Sequence, residues 1–217
     1  MVKTSHLFLI FIPLIILTAL GLLIRIVQHQ PLNPSDEEVA AFSASQKFHI
    51  PILPNDPIIG EKNAPVTLIV FEDFACRACK EQTAILDRLS EKHPNRIKRI
   101  WKGLPVTTFP FNGEEAHIFG FCANKQGVFA QYKQLAFVNG NNLDTPVLQT
   151  IQNQLPIDVT EFSLCLNGPE AKAHIEYTKQ IAKSLNIQAV PAMFKDNKQI
   201  PMQNSVEAWE QYLGLLL

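Results

Sequence analysis

The sequence lacks an excess of charge of either sign. It contains 19 basic and 20 acidic side chains in 217 residues, so its formal net charge at pH 7 is −1. Nucleic-acid-binding domains usually carry a clustered basic face, and interaction tails often carry runs of like charge. Neither feature occurs in this sequence. We therefore exclude nucleic acid as a partner and an acidic tail as a functional element.

The sequence also has few groups that could hold a metal ion. Its four cysteines form one close pair, Cys76 and Cys79, whereas Cys122 and Cys165 lie 43 residues apart. Its six histidines form no HxxxH pattern. A structural zinc site needs four ligands, commonly from two close pairs. The sequence therefore predicts neither a metal nor another cofactor, and its 47% hydrophobic content is enough for a core without disulfides.

One long apolar run lies near the N-terminus. Residues 7–24 read LFLIFIPLIILTALGLLI without a charge, and as a helix they would reach about 27 Å, close to the roughly 30 Å of a bilayer core. A cleaved signal peptide needs a small-x-small cleavage motif after its apolar run. Here Arg25 follows the run directly, and no such motif stands there. We predict an uncleaved signal-anchor in residues 1–27, with a cleaved signal peptide as the alternative. The scattered prolines of residues 28–59 predict a tether, in which 48–53 could form an edge strand.

A strand–helix–strand unit opens the predicted folded domain, residues 60–217. Residues 64–71 form an apolar run rich in β-branched side chains, which is typical of a strand buried on both faces. Residues 76–93 show apolar residues at helical spacing, and Pro94 ends that pattern. Residues 96–101 are a second strand candidate. The close cysteine pair therefore lies where a buried strand leads into a helix.

A block of helices follows, and strand patterns return after it. The block covers about residues 112–186, with helices predicted at 114–126, 128–138, 146–154, 158–166 and 169–186. Residues 189–194 and 199–202 then predict a short hairpin around a turn at Asp196-Asn197. The last helix has Asn204 as its predicted N-cap and is expected to bury Trp209, Leu213 and Leu216.

This order of elements resembles the thioredoxin fold, with Cys76-x-x-Cys79 at the first helix start and Val190-Pro191 before the hairpin. The inserted helical block is similar to that of DsbA-like thiol:disulfide oxidoreductases. The phrases GEKNAPVT, FCANKQGVFAQY and EFSLCLNG support the resemblance. It implies an α/β thioredoxin fold, β-α-β then β-β-α around a central mixed sheet, with an inserted helical subdomain and one preceding transmembrane helix.

The position of the cysteine pair predicts redox chemistry, with an inert dithiol or a zinc site as weaker alternatives. A helix N-terminus stabilises an anion, and Arg77 adds a nearby cation, so the pKa of Cys76 should fall. Cys76 is therefore the predicted nucleophile and Cys79 the resolving thiol. A stabilised thiolate favours the reduced form, which makes the disulfide a stronger oxidant.

The resemblance assigns further site residues. It implies that Pro191 is cis and faces the cysteines, which would leave the backbone of Val190 available to an extended substrate. Many relatives carry a buried acid six positions before the first cysteine, but here that position is Val70. Glu72 lies on the same face of the strand and could replace it, although solvation near the strand end is the favoured interpretation. The aromatic side chains Phe74, Phe109 and Phe111 are candidates for an apolar rim around the site.

Cys122 and Cys165 are candidates for a structural disulfide. In the chain-entropy model a bridge closing 43 residues stabilises by about 4 kcal/mol, against about 2 kcal/mol for the tight Cys76–Cys79 ring. Disulfides persist in oxidising compartments. The alternative is a pair of buried free thiols that behave as small hydrophobic residues.

The predicted function is that of a membrane-anchored thiol:disulfide oxidoreductase that introduces disulfides into exported proteins. The resemblance implies unfolded or partly folded exported proteins as substrates and a quinone-linked, DsbB-like membrane partner that reoxidises the dithiol. Dithiol oxidation is useful outside the cytoplasm, which predicts a single-pass protein of the inner membrane with a periplasmic domain, or a periplasmic protein after signal cleavage. A reductase or isomerase with the same site and an anchored chaperone-like peptide-binding module are the alternatives.

Overall fold

The computed structural model describes residues 4–29 and 49–216, with side chains described for residues 11–25 of the first range. The chain divides into two units, Met1–Phe48 and His49–Leu217. The first unit contains helix α1, Thr4–His29, with Pro13 inside it. In the described parts of the chain, no helix combines the length and the apolar character needed to cross a membrane. Most of the predicted tether, residues 30–48, lies outside the described residues.

Five strands form one mixed sheet in the order β1-β3-β2-β4-β5. Their bounds are Ile58–Gly60 (β1), Val66–Glu72 (β2), Ile97–Gly103 (β3), Ala192–Lys195 (β4) and Lys198–Ile200 (β5). Strands β2 and β3 are parallel, because a helix returns the chain between them, and every other pair is antiparallel. The prediction of a mixed thioredoxin-type sheet is confirmed.

Seven helices accompany the sheet in the second unit, among the residues described there. Helix α2, Arg77–Lys92, connects β2 to β3. The five helices of the insertion are Gly113–Lys125 (α3), Phe129–Val138 (α4), Thr145–Gln152 (α5), Val159–Asn167 (α6) and Pro169–Ser184 (α7). Helix α8, Val206–Leu213, follows the hairpin. Each helix predicted in this unit is present, and its ends differ from the prediction by at most two residues.

Side-chain caps explain where several helices begin. Asn112, Asp144 and Asp158 each accept a hydrogen bond from a backbone N–H in the first turn of α3, α5 and α6. The N-cap of α8 is Ser205, whose hydroxyl accepts from the N–H of Ala208, so the prediction of Asn204 was wrong by one position.

The C-terminal end of α8 buries a different residue from the one that the sequence predicts. Trp209 is fully buried as predicted, whereas Leu216 is 63% exposed. The chain turns at Gly214, whose φ of 66° lies in the left-handed region, and this turn places Leu215 in the core instead. The prediction that Leu216 is buried was wrong.

Apolar side chains fill both faces of the sheet. Leu68 and Val70 of β2 pack with Leu86 and Leu89 of α2 and with Trp209 of α8 on one face. The opposite face is covered by α7, and its core includes Ile69, Phe71, Ile100, Ile181 and Phe194. The alternation of β2 side chains between these clusters is the reason that its sequence is apolar throughout.

Residues 49–59 belong to the folded unit rather than to a tether, and 49–53 form no strand. Ile50 is fully buried, and β1 extends the sheet by pairing with β3. Asp56 forms a buried ion pair with Lys102 of β3, which also donates to the carbonyl of Pro51 at 2.7 Å. These contacts fix the segment on the sheet, and no apolar periodicity in the sequence marked them.

Candidate active site

Cys76 caps the N-terminus of α2. Its φ and ψ of −82° and 114° are extended, and its Sγ accepts a hydrogen bond from the N–H of Cys79 at 3.0 Å. Cys76 is half-buried. The positive end of the helix dipole and the N–H of Cys79 therefore point at this sulfur, an arrangement that stabilises a thiolate.

Cys79 is bonded to Cys76 and lies beneath it. The two Cα atoms are 5.2 Å apart, and Cys79 has no exposed surface. An incoming thiolate can reach only the outer sulfur, because the inner one is covered. This difference in exposure supports the prediction that a thiolate attacks Cys76 and that Cys79 is the leaving group.

Val190 and Pro191 lie on the other side of the cysteine pair. The Val190–Pro191 peptide bond is cis, and the Val190 carbonyl oxygen lies 3.6 Å from Cys76 Sγ. Neither the N–H nor the carbonyl of Val190 has a backbone hydrogen-bond partner in the described part of the chain. An extended peptide that brings a thiol to Cys76 could therefore pair with this backbone.

Arg77 points away from the sulfur and toward Glu81. Its Nε donates to Glu81 Oε1 at 2.9 Å, and the two side chains are 91% and 62% exposed. An exposed, paired guanidinium contributes little to the potential at a neighbouring group. The structure thus leaves the helix N-terminus as the main cause of thiolate stabilisation at Cys76.

Glu72 is fully buried, so the favoured expectation that it is solvated was wrong. It accepts hydrogen bonds from Thr83 Oγ1 and from Lys133 Nζ, each at 2.7 Å. Thr83 lies one helical turn after Cys79 on the buried face of α2. Burial lowers the pKa of Lys133, and the neighbouring Glu72 carboxylate opposes that shift. A buried ion pair is therefore joined through Thr83 to the helix that carries the inner cysteine.

Asp73 fixes two loops around the site. One carboxylate oxygen accepts from the N–H of Ala75, and the other accepts from the N–H groups of Val106 and Thr107 at 2.9 and 2.8 Å. His117 Nε2 lies 3.3 Å from the first oxygen. Burial alone would raise the pKa of Asp73, but His117 and the backbone N–H groups outweigh it and hold that pKa well below its usual range.

Two of the three aromatic residues predicted to form a rim belong to the core. Phe74 is 1% exposed and stacks on Trp101 at 5.0 Å between ring centroids, and Phe111 is 9% exposed. Phe109 is 86% exposed. The insertion is apolar around Phe74, which explains why that ring turns inward. Gly140 approaches the Phe74 carbonyl so closely that a Cβ there would lie 2.7 Å from it.

Cys122 and Cys165 are joined by a disulfide between α3 and α6. Their Cα atoms are 5.8 Å apart. Cys122 is 1% exposed and Cys165 is half-buried. The bridge therefore fastens two helices of the insertion to one another.

Asp73, Lys133 and His117 also support the site, although the sequence did not predict them. Asp73 could have been found from the sequence, since it lies three residues before Cys76 in a loop whose backbone N–H groups need hydrogen-bond acceptors. Lys133 and His117 lie 61 and 44 residues from their partners. No local pattern links them, so only the tertiary fold reveals the pairs.

Comparisons with known proteins give a consistent result. A family model described as thioredoxin matches residues 53–214. Among curated proteins, Na(+)/H(+) antiporter NhaA 3 of Salinispora tropica is 22% identical over 181 residues, which cover 82% of this chain and 28% of the antiporter. "Probable disulfide bond formation protein D" of Bacillus cereus is 25% identical over 151 residues, 63% of this chain and 68% of that protein. This chain thus spans only a part of the curated relatives that it matches.

Many solved structures share the fold, and two of them illustrate the likeness. The thiol-disulfide exchange protein alpha-DsbA2 from Wolbachia pipientis superposes with a TM-score of 0.69 at 15% identity and covers 85% of this chain and 100% of its own. The catalytic domain of Proteus mirabilis ScsC superposes with a TM-score of 0.63 at 19% identity and covers 82% and 95%. Both likenesses describe the fold alone.

Proposed function

Because the chain belongs to the thioredoxin family, we propose that it is a thiol:disulfide oxidoreductase that introduces disulfides into exported proteins. One observation carries the proposal. A half-exposed sulfur, Cys76, caps a helix N-terminus and is bonded to a fully buried sulfur, Cys79. The name of the Bacillus cereus relative, a disulfide bond formation protein, supports the same reaction.

The reaction transfers two electrons from a substrate dithiol to the Cys76–Cys79 disulfide. A substrate thiolate attacks Cys76 Sγ, the bond to Cys79 breaks, and Cys79 leaves as a thiolate that takes up a proton. A second substrate thiolate then attacks the substrate sulfur of the mixed disulfide and releases Cys76 as a thiolate. The substrate leaves as a disulfide and the protein in its reduced form, with Cys76 as a thiolate and Cys79 as a thiol. A quinone-linked membrane partner, as oxidant, then removes two electrons, and the proton of Cys79 is released.

The buried pair of Glu72 and Lys133 is the proposed source of the proton for Cys79. A thiolate in an apolar site is costly, so Cys79 needs a proton as it leaves. The pair reaches α2 through Thr83, one turn beyond Cys79. Glu72→Gln should shift the pH dependence of the stopped-flow rate of Cys79 release. An unchanged profile would remove Glu72 from the mechanism.

Extracytoplasmic location and membrane anchoring are part of the proposal on sequence grounds. The support is the uncharged run of residues 7–24 and the persistence of disulfides outside the cytoplasm. Epitope-tagged full-length chain should stay with membranes after carbonate extraction. Release into the supernatant, together with a shortened N-terminus, would favour a cleaved signal peptide.

Oxidation of reduced ribonuclease and reduction of insulin test the activity itself. We expect the disulfide form of the protein to oxidise reduced ribonuclease stoichiometrically and so to restore its activity. The variant Cys76→Ser should restore none. Strong insulin reduction with weak ribonuclease oxidation would favour a reductase. Inactivity in both assays, with substrate binding retained, would favour a peptide-binding module.

A further inference from the structure

Helices α2 and α4 leave a groove between them that begins at Cys76. The part beside Cys76 has a volume of about 450 Å³, and a second part of about 440 Å³ continues toward Glu91 near the end of α2. The two parts have residues of both helices in common, namely Lys80, Ala84, Phe137 and Val138. They are therefore one continuous groove, which we call the α2–α4 groove.

Small side chains keep the groove open. Ala84 of α2 and Ala130 of α4 both line it, and both are exposed. Val138 is 65% exposed at the end of α4, next to the buried ring of Phe137. The two alanines leave room for one polypeptide segment between the helices. The apolar surface at Val138, at the end nearer Cys76, suits an apolar side chain of that segment.

Charges along the groove are paired at most positions. Arg77 pairs with Glu81, Asp87 with Arg99, and Lys133 with Glu72. Lys80 and Glu91 take part in no ion pair within the parts of the chain that the structure describes. The groove therefore presents an uncompensated cation near Cys76 and an uncompensated anion at its far end.

We infer that the α2–α4 groove binds the polypeptide segment on one side of the partner's reacting cysteine. The segment has an acidic residue close to the cysteine, an apolar residue over Val138, and a basic residue opposite Glu91. Lys80 and Glu91 are eleven residues apart on one helix, or about 16 Å. An extended chain covers that span in about five residues.

The groove and Val190 serve different sides of the partner's cysteine. Val190 belongs to the loop before β4, and its carbonyl oxygen lies 3.6 Å from Cys76 Sγ. The groove, in contrast, extends from Cys76 along α2. A partner chain whose sulfur is bonded to Cys76 can pair with the Val190 backbone on one side and lie in the groove on the other. Pairing through backbone atoms is indifferent to sequence, so the groove would supply the preference among partners.

The inference rests on the proposed function, and dithiol peptides test it. Cys76 and Glu91 are 15 residues apart along the helix, or about 22 Å, which an extended chain covers in about seven residues. Two pairs of peptides therefore carry Lys or Glu about seven residues from the reacting cysteine, one pair on each side of it. Single-turnover oxidation by the full-length disulfide form is compared with oxidation of dithiothreitol, which cannot fill a groove. For one of the two pairs we expect the Lys peptide to react about twofold to fivefold faster, the range of an exposed charge pair, and Glu91→Lys to reverse that order.

A second variant tests the apolar part of the groove. Ala84→Phe should lower the ratio of the peptide rate to the dithiothreitol rate by about tenfold, the scale of a lost hot-spot contact. Ala173→Phe, at an exposed alanine of α7 outside the groove, should leave that ratio unchanged. Because Glu91 lies at the surface, Glu91→Lys keeps the test decisive even if Ala84→Phe fails to fold.

The outcomes separate the groove from the chemistry. Equal rates for both peptides of each pair, with Glu91→Lys like wild type, would overturn the groove and leave the proposed function intact. Failure of the wild-type protein to oxidise either peptides or dithiothreitol would overturn the proposed function and the groove with it.

Discussion

Lys133 donates a hydrogen bond to Glu72 at 2.7 Å, and the two side chains are 7% and 1% exposed. Glu72 ends β2 and Lys133 belongs to α4, so this pair joins the central sheet to the inserted helices. Each charge is tolerated in the interior because the other is present. The stability of the domain and the proposed proton transfer to Cys79 therefore involve the same contact.

Removing one partner of this pair should be costly. Glu72→Gln leaves Lys133 without its counter-charge in a buried site, and we expect the free energy of unfolding to fall by about 3 kcal/mol. Urea unfolding followed by circular dichroism measures the loss. Glu81→Gln, in the exposed pair with Arg77, is the matched control and should cost less than about 1 kcal/mol. Similar losses for both variants would contradict the structural account.

Asp73 should make the domain sensitive to acid. Its pKa in the folded protein lies below the value near 3.9 of an unfolded chain, so its stabilisation is present above about pH 4. That stabilisation is lost as the pH falls from there through the folded-state pKa. Asp73→Asn should lower stability near neutral pH and flatten the decline below about pH 4.

The control for this acid dependence is Asp196→Asn, at an exposed position of the β4–β5 turn. Its left-handed φ of 52° suits asparagine. Urea midpoints measured at several pH values should show the wild-type slope for this variant. A slope for Asp73→Asn that equals the wild-type slope would mean that Asp73 does not cause the acid sensitivity.

The Cys122–Cys165 bridge should contribute stability without taking part in turnover. It closes 43 residues, and the chain-entropy model assigns it about 4 kcal/mol, against about 2 kcal/mol for the ring between Cys76 and Cys79. The double variant Cys122→Ala/Cys165→Ala should thus lose more unfolding free energy than Cys76→Ala/Cys79→Ala, while it retains ribonuclease oxidation. Loss of oxidation in a folded double variant would show that the second bridge takes part in the reaction.

Arg77 should have little effect on the thiolate of Cys76. The guanidinium is exposed and paired with Glu81, whereas the N-terminus of α2 points at the sulfur itself. In the reduced protein, Arg77→Ala should raise the pKa of Cys76 by less than about half a unit. Ultraviolet absorbance of the thiolate during a pH titration measures the shift. A rise of a full unit or more would restore the larger role that the sequence suggested.

Local patterns were sufficient to predict the family and every described element of the folded unit except β1. The apolar run of β2, the helical spacing after Cys76 and the turn at Asp196-Asn197 each appear in the structure, because each depends on neighbours along the chain. The thioredoxin family assignment is confirmed by the match over residues 53–214. Assignments of catalytic roles to Cys76, Cys79, Val190 and Pro191 stay predictions.

Features that depend on distant partners were not predictable. Glu72 near a strand end looked solvated, and only Lys133, 61 residues away, makes its burial possible. Residues 49–59 were predicted to be part of a tether, because the contact that holds them on the sheet is not local. Asp56 forms its ion pair with Lys102, which lies in a strand far along the chain. The start of α8 was misplaced by one residue, since Asn204 and Ser205 are both good caps and the sequence alone does not choose between them.

The reduction potential of the Cys76–Cys79 pair tests the central claim most directly. Equilibration of the full-length protein with glutathione buffers, followed by alkylation of free thiols, measures it. The proposed oxidase predicts a value near about −120 mV, which reflects a reduced form stabilised at the helix N-terminus. A value near about −270 mV would make the protein a reductase and would contradict the proposal.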